Sequence, residues 1–360
     1  MNSLATGLFA LVILLATNAN ATIRYLSAQG AGQYTTIDAA GTAAVTGDTI
    51  LVGPGAYSVS TVNQSTKRLT WIGAGWDQTT VNMTSIWYFN TTTANRTSVE
   101  GFNIQGGAGF QAANNCDSST VRRCLIANPQ ANFNFSGGRG LTIEDCILYY
   151  TVAGWQNVAV SDANYPTVIR NCVFTSPTGS NSGSSITGNA TSGTVEIYNC
   201  TFVNTRQWLA LNTAGGPVIA VNNVFWDWNS SSAVGTYNAG SVFDYNAGPA
   251  SPALPGTNLL TIASDPFVNY DESVNYTGFN ADLHLHPTNG AALINSGHPS
   301  LLDFTDGSQS DRGVYGGPKP LVDNGVPNYP WAINVTASPN LVGVGTPINA
   351  GATVRVGPAY

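Results

Sequence analysis

Three aspartates, Asp303, Asp306 and Asp311, stand close together in the stretch DFTDGSQSD. Oxygen donors gathered around a glycine turn are the kind of set that holds Ca2+, although the spacing is not that of an EF-hand loop. The competing reading is that the carboxylates stabilise the turn itself. A second group offers amides and an indole. If Phe133, Phe135, Leu209 and Leu211 point into a core, then Gln111, Asn134, Asn157 and Trp208 fall on the outer side of their strands. Amides hydrogen-bond sugar hydroxyls and aromatic faces give apolar stacking surface, so such a face suits carbohydrate, and otherwise it is an inert solvated ladder. The 3 histidines, His284, His286 and His298, lie late in the chain, where LHLHP reads as an alternating strand. Without a third ligand the pair makes a poor zinc site, and a structural role is expected. Tyr149, Tyr150, Trp155, Trp226 and Trp228 gather around loops. Exposure there would mark a contact surface, and burial a cover over the core.

The elements that position these residues recur. TVIRNCVFTS (167–176) has relatives in TSVEGFNIQG (97–106), STVRRCLIAN (119–128), LTIEDCILYY (141–150), EIYNCTFVN (196–204) and IAVNNVFWD (219–227). Aligned on one column, Phe102, Cys124, Cys146, Cys172, Cys200 and Asn223 are separated by 22, 22, 26, 28 and 23 residues. Such a period signals a solenoid, with the length variation confined to loops. Apolar residues sit three before the column (Val99, Val121, Ile143, Ile169, Ile197) and two after it (Ile104, Ile126, Leu148, Phe174, Phe202, Phe225). The even offset is that of a strand with one buried face, and the odd one implies a bend. Just before the column stand Arg123, Asp145, Asn171, Asn199 and Asn222. Asn and Asp tolerate left-handed backbone, so a one- or two-residue corner is expected there. A further apolar stretch between columns, such as GSSITGN or QWLALN, supplies a third strand. Three short strands per coil, stacked in register, give an all-β, single-stranded parallel β-helix.

Two ladders test that register. The cysteines form an inward column of compact apolar fillers behind the corner, largely as free thiols, because stacked side chains pointing one way make poor disulfide geometry even after export. Cys116, the remaining one of five, has no place in it. Glu100, Arg122, Glu144 and Arg170 form an outward column of alternating charge, worth about 0.2–1 kcal/mol per contact. At the front, Thr35 and Asp38 read as a capping box for a short helix that would close the open end of the stack.

The 360 residues suffice for a substantial core. Charged residues make up 9% and the formal net charge is −7, with no basic run. That composition speaks against nucleic acid as a partner. Residues 1–21 read as a secretory signal peptide: the apolar stretch Leu4 to Ala16 is too short to span a bilayer, and Ala19, Asn20 and Ala21 form an AxA cleavage site. No later stretch is apolar enough to be transmembrane, so a protein secreted or held at the cell surface is expected.

These features resemble the pectate-lyase-like right-handed β-helix superfamily, in particular secreted bacterial β-helix repeat proteins. The resemblance rests on GDTILVGPGAYSV, the VIRNC-type coils, DPFVNY, ADLHLHPTNGAALINSGHP and DGSQSDRGVYGGP. It implies a right-handed β-helix over 22–262, a terminal coil or cap carrying DGSQSDRGVYGGP over 263–320, and a β-rich tail over 321–360. That tail is either a cap on the last coil or an appended segment. It also sets a standard for enzymatic chemistry, since the superfamily hosts many activities. Its lyases pair acidic calcium ligands with an Arg or Lys base. Here the central coils hold no aspartate cluster, and with Arg122 and Arg170 engaged in the ladder the remaining bases are Arg123, Arg139 and Arg206. Glycoside hydrolysis needs two carboxyl groups at a defined separation, and the paired aspartates and central histidine of polygalacturonases are not found. The expectation is a β-helix that binds a polysaccharide, a cell-surface glycan or another surface polymer. A polysaccharide lyase or glycoside hydrolase, and a purely structural or adhesive protein, stand as the alternatives. No cofactor is evident apart from the calcium set.

Overall fold

The computed structural model describes residues 21–360 apart from 64–65, 90–95, 108, 113–117, 129–132, 136–139, 151–157, 161–164, 176–183, 190–192, 206, 211–212, 229–234, 252, 271–280 and 339–346. Three parallel sheets wind around one axis: sheets A and B have ten strands each, and sheet C has seven. Successive coils contribute neighbouring strands, as in a single-stranded right-handed parallel β-helix. In one full coil, Thr167–Arg170 lies in sheet A, Val173–Thr175 in sheet B and Ser184–Gly188 in sheet C.

The expected register is present. Val99, Val121, Ile143, Ile169 and Ile197 stack as an inward column of sheet A. Ile104, Ile126, Leu148, Phe174, Phe202 and Phe225 do so in sheet B. Phe174, Phe202 and Phe225 lie nearly parallel with centroids 4.6 and 4.7 Å apart, because the inter-strand distance of about 4.7–4.9 Å fixes the stacking distance. The corner between sheets A and B has positive φ at Arg123, Asp145, Asn171, Asn199 and Asn222, between 49° and 60°.

Cys124, Cys146, Cys172 and Cys200 are buried free thiols in one column behind that corner. Each thiol lies nearest the carbonyl two residues before it in its own coil, Cys146 Sγ to Glu144 O and Cys172 Sγ to Arg170 O at 3.2 Å and Cys200 Sγ to Tyr198 O at 3.4 Å, with the carbonyls of the preceding coil at 3.6–3.7 Å. Asn223 and Asn246 follow in the column, and their Nδ2 groups donate to Ile197 O at 3.0 Å and Ala220 O at 2.9 Å. At these two positions side-chain donors tie a coil to the one before it. Burial pushes the Cys146 and Cys200 thiols well above their ordinary value. Cys116 lies outside the described residues.

The helix Ile37–Ala43 closes the first coil by burying Ile37 and Ala40. Its N-cap is Thr36, whose hydroxyl accepts from Ala39 N at 3.2 Å, one residue later than the expected Thr35. The backbone there turns extended at Thr36 itself, which decides which hydroxyl reaches the helix.

From residue 263 onward the chain returns along the outside of the stack. Phe267, Leu283, Leu293, Val314 and Leu321 pack on the outer side of sheet B, against Leu125, Ile147, Val173 and Val224, and so form a second core. Asn171 Nδ2 donates to Val314 O and Gly316 O, at 3.0 and 2.7 Å, and Asn199 Nδ2 to Asp311 O at 2.9 Å. The tail goes on to the first coils. Trp331 packs with Leu51 and Ala74, and Arg355 pairs with Asp77 at 2.7 Å. The left-handed corner thus does two jobs: it turns each coil and presents amides that grip the returning chain.

The alternating ladder Glu100, Arg122, Glu144 and Arg170 is in register. Arg122 pairs with Glu100 at 2.7 Å, and Arg170 Nε donates to Glu144 at 2.7 Å. It is less solvated than its outward direction implies: Glu100 and Glu144 are buried, and Lys319 from the returning segment lies 3.5 Å from Glu144. Burial opposes ionisation of Glu144, but Arg170, Lys319 and Arg122 outweigh it and hold the carboxyl below its usual range.

Candidate functional site

Sheet C is the sheet on which, among the described residues, no outer core forms. Its inward column is Trp87, Phe110, Phe133, Val158, Ile186 and Leu209, all fully buried. Alternation then sends the next residue of each strand outward. The outer column runs Asn63, Tyr88, Gln111, Ala159 and Thr187, with Asn134 and Ala210 at the matching backbone register, their side chains outside the described residues. Tyr88, Gln111, Ala159 and Thr187 are each partly exposed. The face offers amides, a phenol and a hydroxyl, and no charge.

Gln111 is partly exposed and pairs in backbone register with Asn134, whose side chain lies outside the described residues. Asn157 lies outside the described residues. Trp208 does not belong to the face. It is fully buried, its ring packing edge-on to Phe225 at 4.1 Å and against Phe202 and Phe243. The physical reason is the start of the strand: Ser185 and Trp208 sit at the entry to sheet C, where both they and the following Ile186 and Leu209 are buried, so strict alternation has not yet begun. Tyr88 and Asn63 were missed. The signal for Tyr88 was available in SIWYF, where Trp87 and Phe89 alternate around it.

The other candidates take different roles. Arg123 is buried and donates to Glu100 at 3.2 Å, Val326 O at 3.2 Å and Pro358 O at 2.8 Å. It clamps the tail and faces no solvent where a base could act. Arg139 and Arg206 lie outside the described residues. Asp303 accepts from the backbone amides of Gly317 and Asp311, Asp306 from Ser308 N at 2.9 Å, and Asp311 from Asn295 N at 2.7 Å. Asp303 and Asp311 are thus neighbours, linked through the Asp311 backbone amide, while Asp306 bonds within its own turn. Burial raises Asp303 and Asp311, while hydrogen bonds from Ser308 lower Asp306. Among the described residues no group of three or more His, Cys, Asp or Glu is arranged to hold a metal ion.

The histidines do not converge. His286 Nδ1 accepts from Thr288 N, His298 Nδ1 from Ser300 N, and His284 Nδ1 pairs with Asp282. Of the loop aromatics, Tyr149 is buried and Trp226 packs on the outer core. Trp155 and the side chains of Tyr150 and Trp228 lie outside the described residues.

Coil, corner and strand order define a single-stranded right-handed parallel β-helix. No family model matches the chain, and no curated protein matches it. Among solved structures it is similar to pectate lyase Pel9A, with 14% sequence identity, a TM-score of 0.46, and coverage of 82% of this chain and 96% of that one. It is also similar to pectin methylesterase from carrot, with 14% identity, a TM-score of 0.46, and coverage of 67% of this chain and 88% of that one. Among the described residues no helix is long and apolar enough to cross a membrane.

Proposed function

We propose that this chain is an exported, secreted or surface-held β-helix that binds carbohydrate or another surface polymer along the outer face of sheet C. The observation that carries this reading is the uncharged column of Tyr88, Gln111, Ala159 and Thr187, partly exposed on the sheet that has no outer core among the described residues. Coils stacked at about 4.8 Å set its phenol, amide and hydroxyl along one line on which an extended polymer can make several contacts. A phenol at one end adds a stacking surface. Export is supported by the apolar stretch Leu4 to Ala16 and the AxA that follows.

The test is a polysaccharide panel, neutral and acidic, with and without calcium, read for both binding and product release. Binding is expected for wild type and weakened about tenfold, or ~1.4 kcal/mol, in the Tyr88→Ala/Gln111→Ala double variant. Release of reducing or unsaturated products would move the protein to the lyase or hydrolase class. Neither binding nor turnover across the panel would leave a structural or adhesive role.

A further inference from the structure

The returning segment leaves a cleft of about 270 Å³ against the outer side of sheet B, apart from the sheet C face. Four polar side chains from three distant stretches meet in it: Asp282, His284, Tyr315 and Asp323. The strand Asp282–Leu285 turns Leu283 into the outer core and leaves Asp282 and His284 on the other side. His284 Nδ1 lies 2.7 Å from Asp282 Oδ1. The imidazole stacks on the Tyr315 ring with centroids 3.6 Å apart and planes 16° from parallel. Tyr315 in turn donates its hydroxyl to Asp323 Oδ1 at 2.8 Å. Two stacked rings are thus bracketed by two carboxylates, each with no partner on its second oxygen among the described residues. Burial, together with Asp323 and Asp282, pushes the Tyr315 phenol far up, so it stays a neutral donor. Trp76 and Ile147 supply the apolar wall, and no Lys or Arg is among the described lining residues.

We propose that this cleft binds a small organic ammonium ion, a primary amine carried on a body no larger than a monosaccharide. Two carboxylates facing at most one imidazolium leave negative charge that a cation balances. Aromatic walls favour an organic cation over a bare metal ion, and the described residues hold no three-ligand metal group there. The volume lies near the lower bound, about 300 Å³, of small-molecule sites. The inference stands independently of the sheet C reading.

The experiment follows the Trp76 indole N–H by NMR in the full-length mature protein, assigned by its loss in Trp76→Phe. Titrants are glucosamine and n-butylamine below their amine pKa, with N-acetylglucosamine and glucose as uncharged counterparts. Saturable shifts are expected with the two ammonium compounds and not with the neutral sugars. The tighter of the two separates an amino sugar from a plain alkylamine. Asp323→Asn, at an exposed position, should weaken binding tenfold or more, and Asp282→Asn should do likewise as a second, independent variant. Gln29→Ala, at an exposed position outside the cleft lining, should leave it unchanged. Absence of saturation with either ammonium compound, equal binding of N-acetylglucosamine, or full affinity in both Asp variants would overturn the proposal.

Discussion

Sheets B and C are built from the same coils, yet their outer faces have opposite fates. On sheet B the outward residues Leu125, Ile147, Val173 and Val224 are buried beneath the returning segment. On sheet C the outward residues include Tyr88, Gln111, Ala159 and Thr187, partly exposed and with no outer core over them among the described residues. The difference teaches that a solenoid strand carries two separate messages. Its inward alternation closes the coil, and its outward residues decide whether that side becomes an interface within the chain or a surface for something else. Strands buried on both faces read as continuous apolar runs.

The largest effect expected from this contrast is a charge placed under the returning segment. Val224→Asp should cost about 3–5 kcal/mol, because the carboxylate is buried without a partner, whereas Thr187→Asp on sheet C should stay within about 0.5 kcal/mol. Urea unfolding of both variants measures this, and equal losses would break the comparison. Within sheet C the contrast sharpens to neighbouring strands. Trp208→Ala should cost about 3–5 kcal/mol as a core cavity, and it should leave polysaccharide affinity intact in the molecules that remain folded, measurable by affinity electrophoresis below the melting temperature.

Smaller effects belong to the corner between sheets A and B. Asn199→Ala removes a residue suited to φ of 50° and an amide that donates to Asp311 O. A loss of about 2 kcal/mol is expected, read by calorimetry. The smallest is a gain. Burial and Glu144 raise the Asp145 carboxyl well above 3.8, so its contribution to stability is complete below that pH and is lost as pH rises through the folded-state value. Asp145→Asn places at this corner the amide that Asn171 and Asn199 carry at theirs. It should raise the melting temperature at neutral pH, with the gain vanishing below pH 3.8. Glu144→Gln should behave in the opposite sense, since Glu144 is held below 4.5 and stabilises the fold above that pH.

Much of this was legible because coils stack directly, turning a spacing of 22 to 28 residues into vertical contact. The cysteine column, the charge ladder and the corner asparagines could be read in that way. The half-exposure of Gln111 follows simple alternation, while the burial of Trp208 does not, because a strand leaving a corner buries two successive residues before alternation sets in. The His284, Tyr315 and Asp323 cluster gave no sequence signal: its members lie far apart in a segment without the repeat.

The sequence by itself determined the coil, its three sheets and the inward ladders, since these depend on local alternation and a regular period. Only the tertiary structure decided which outer face is covered, where the tail comes to rest and which polar residues meet in the cleft. Those outcomes depend on a non-repeating chain finding complementary apolar surface and unpaired amides on a scaffold already formed, and no spacing encodes that pairing.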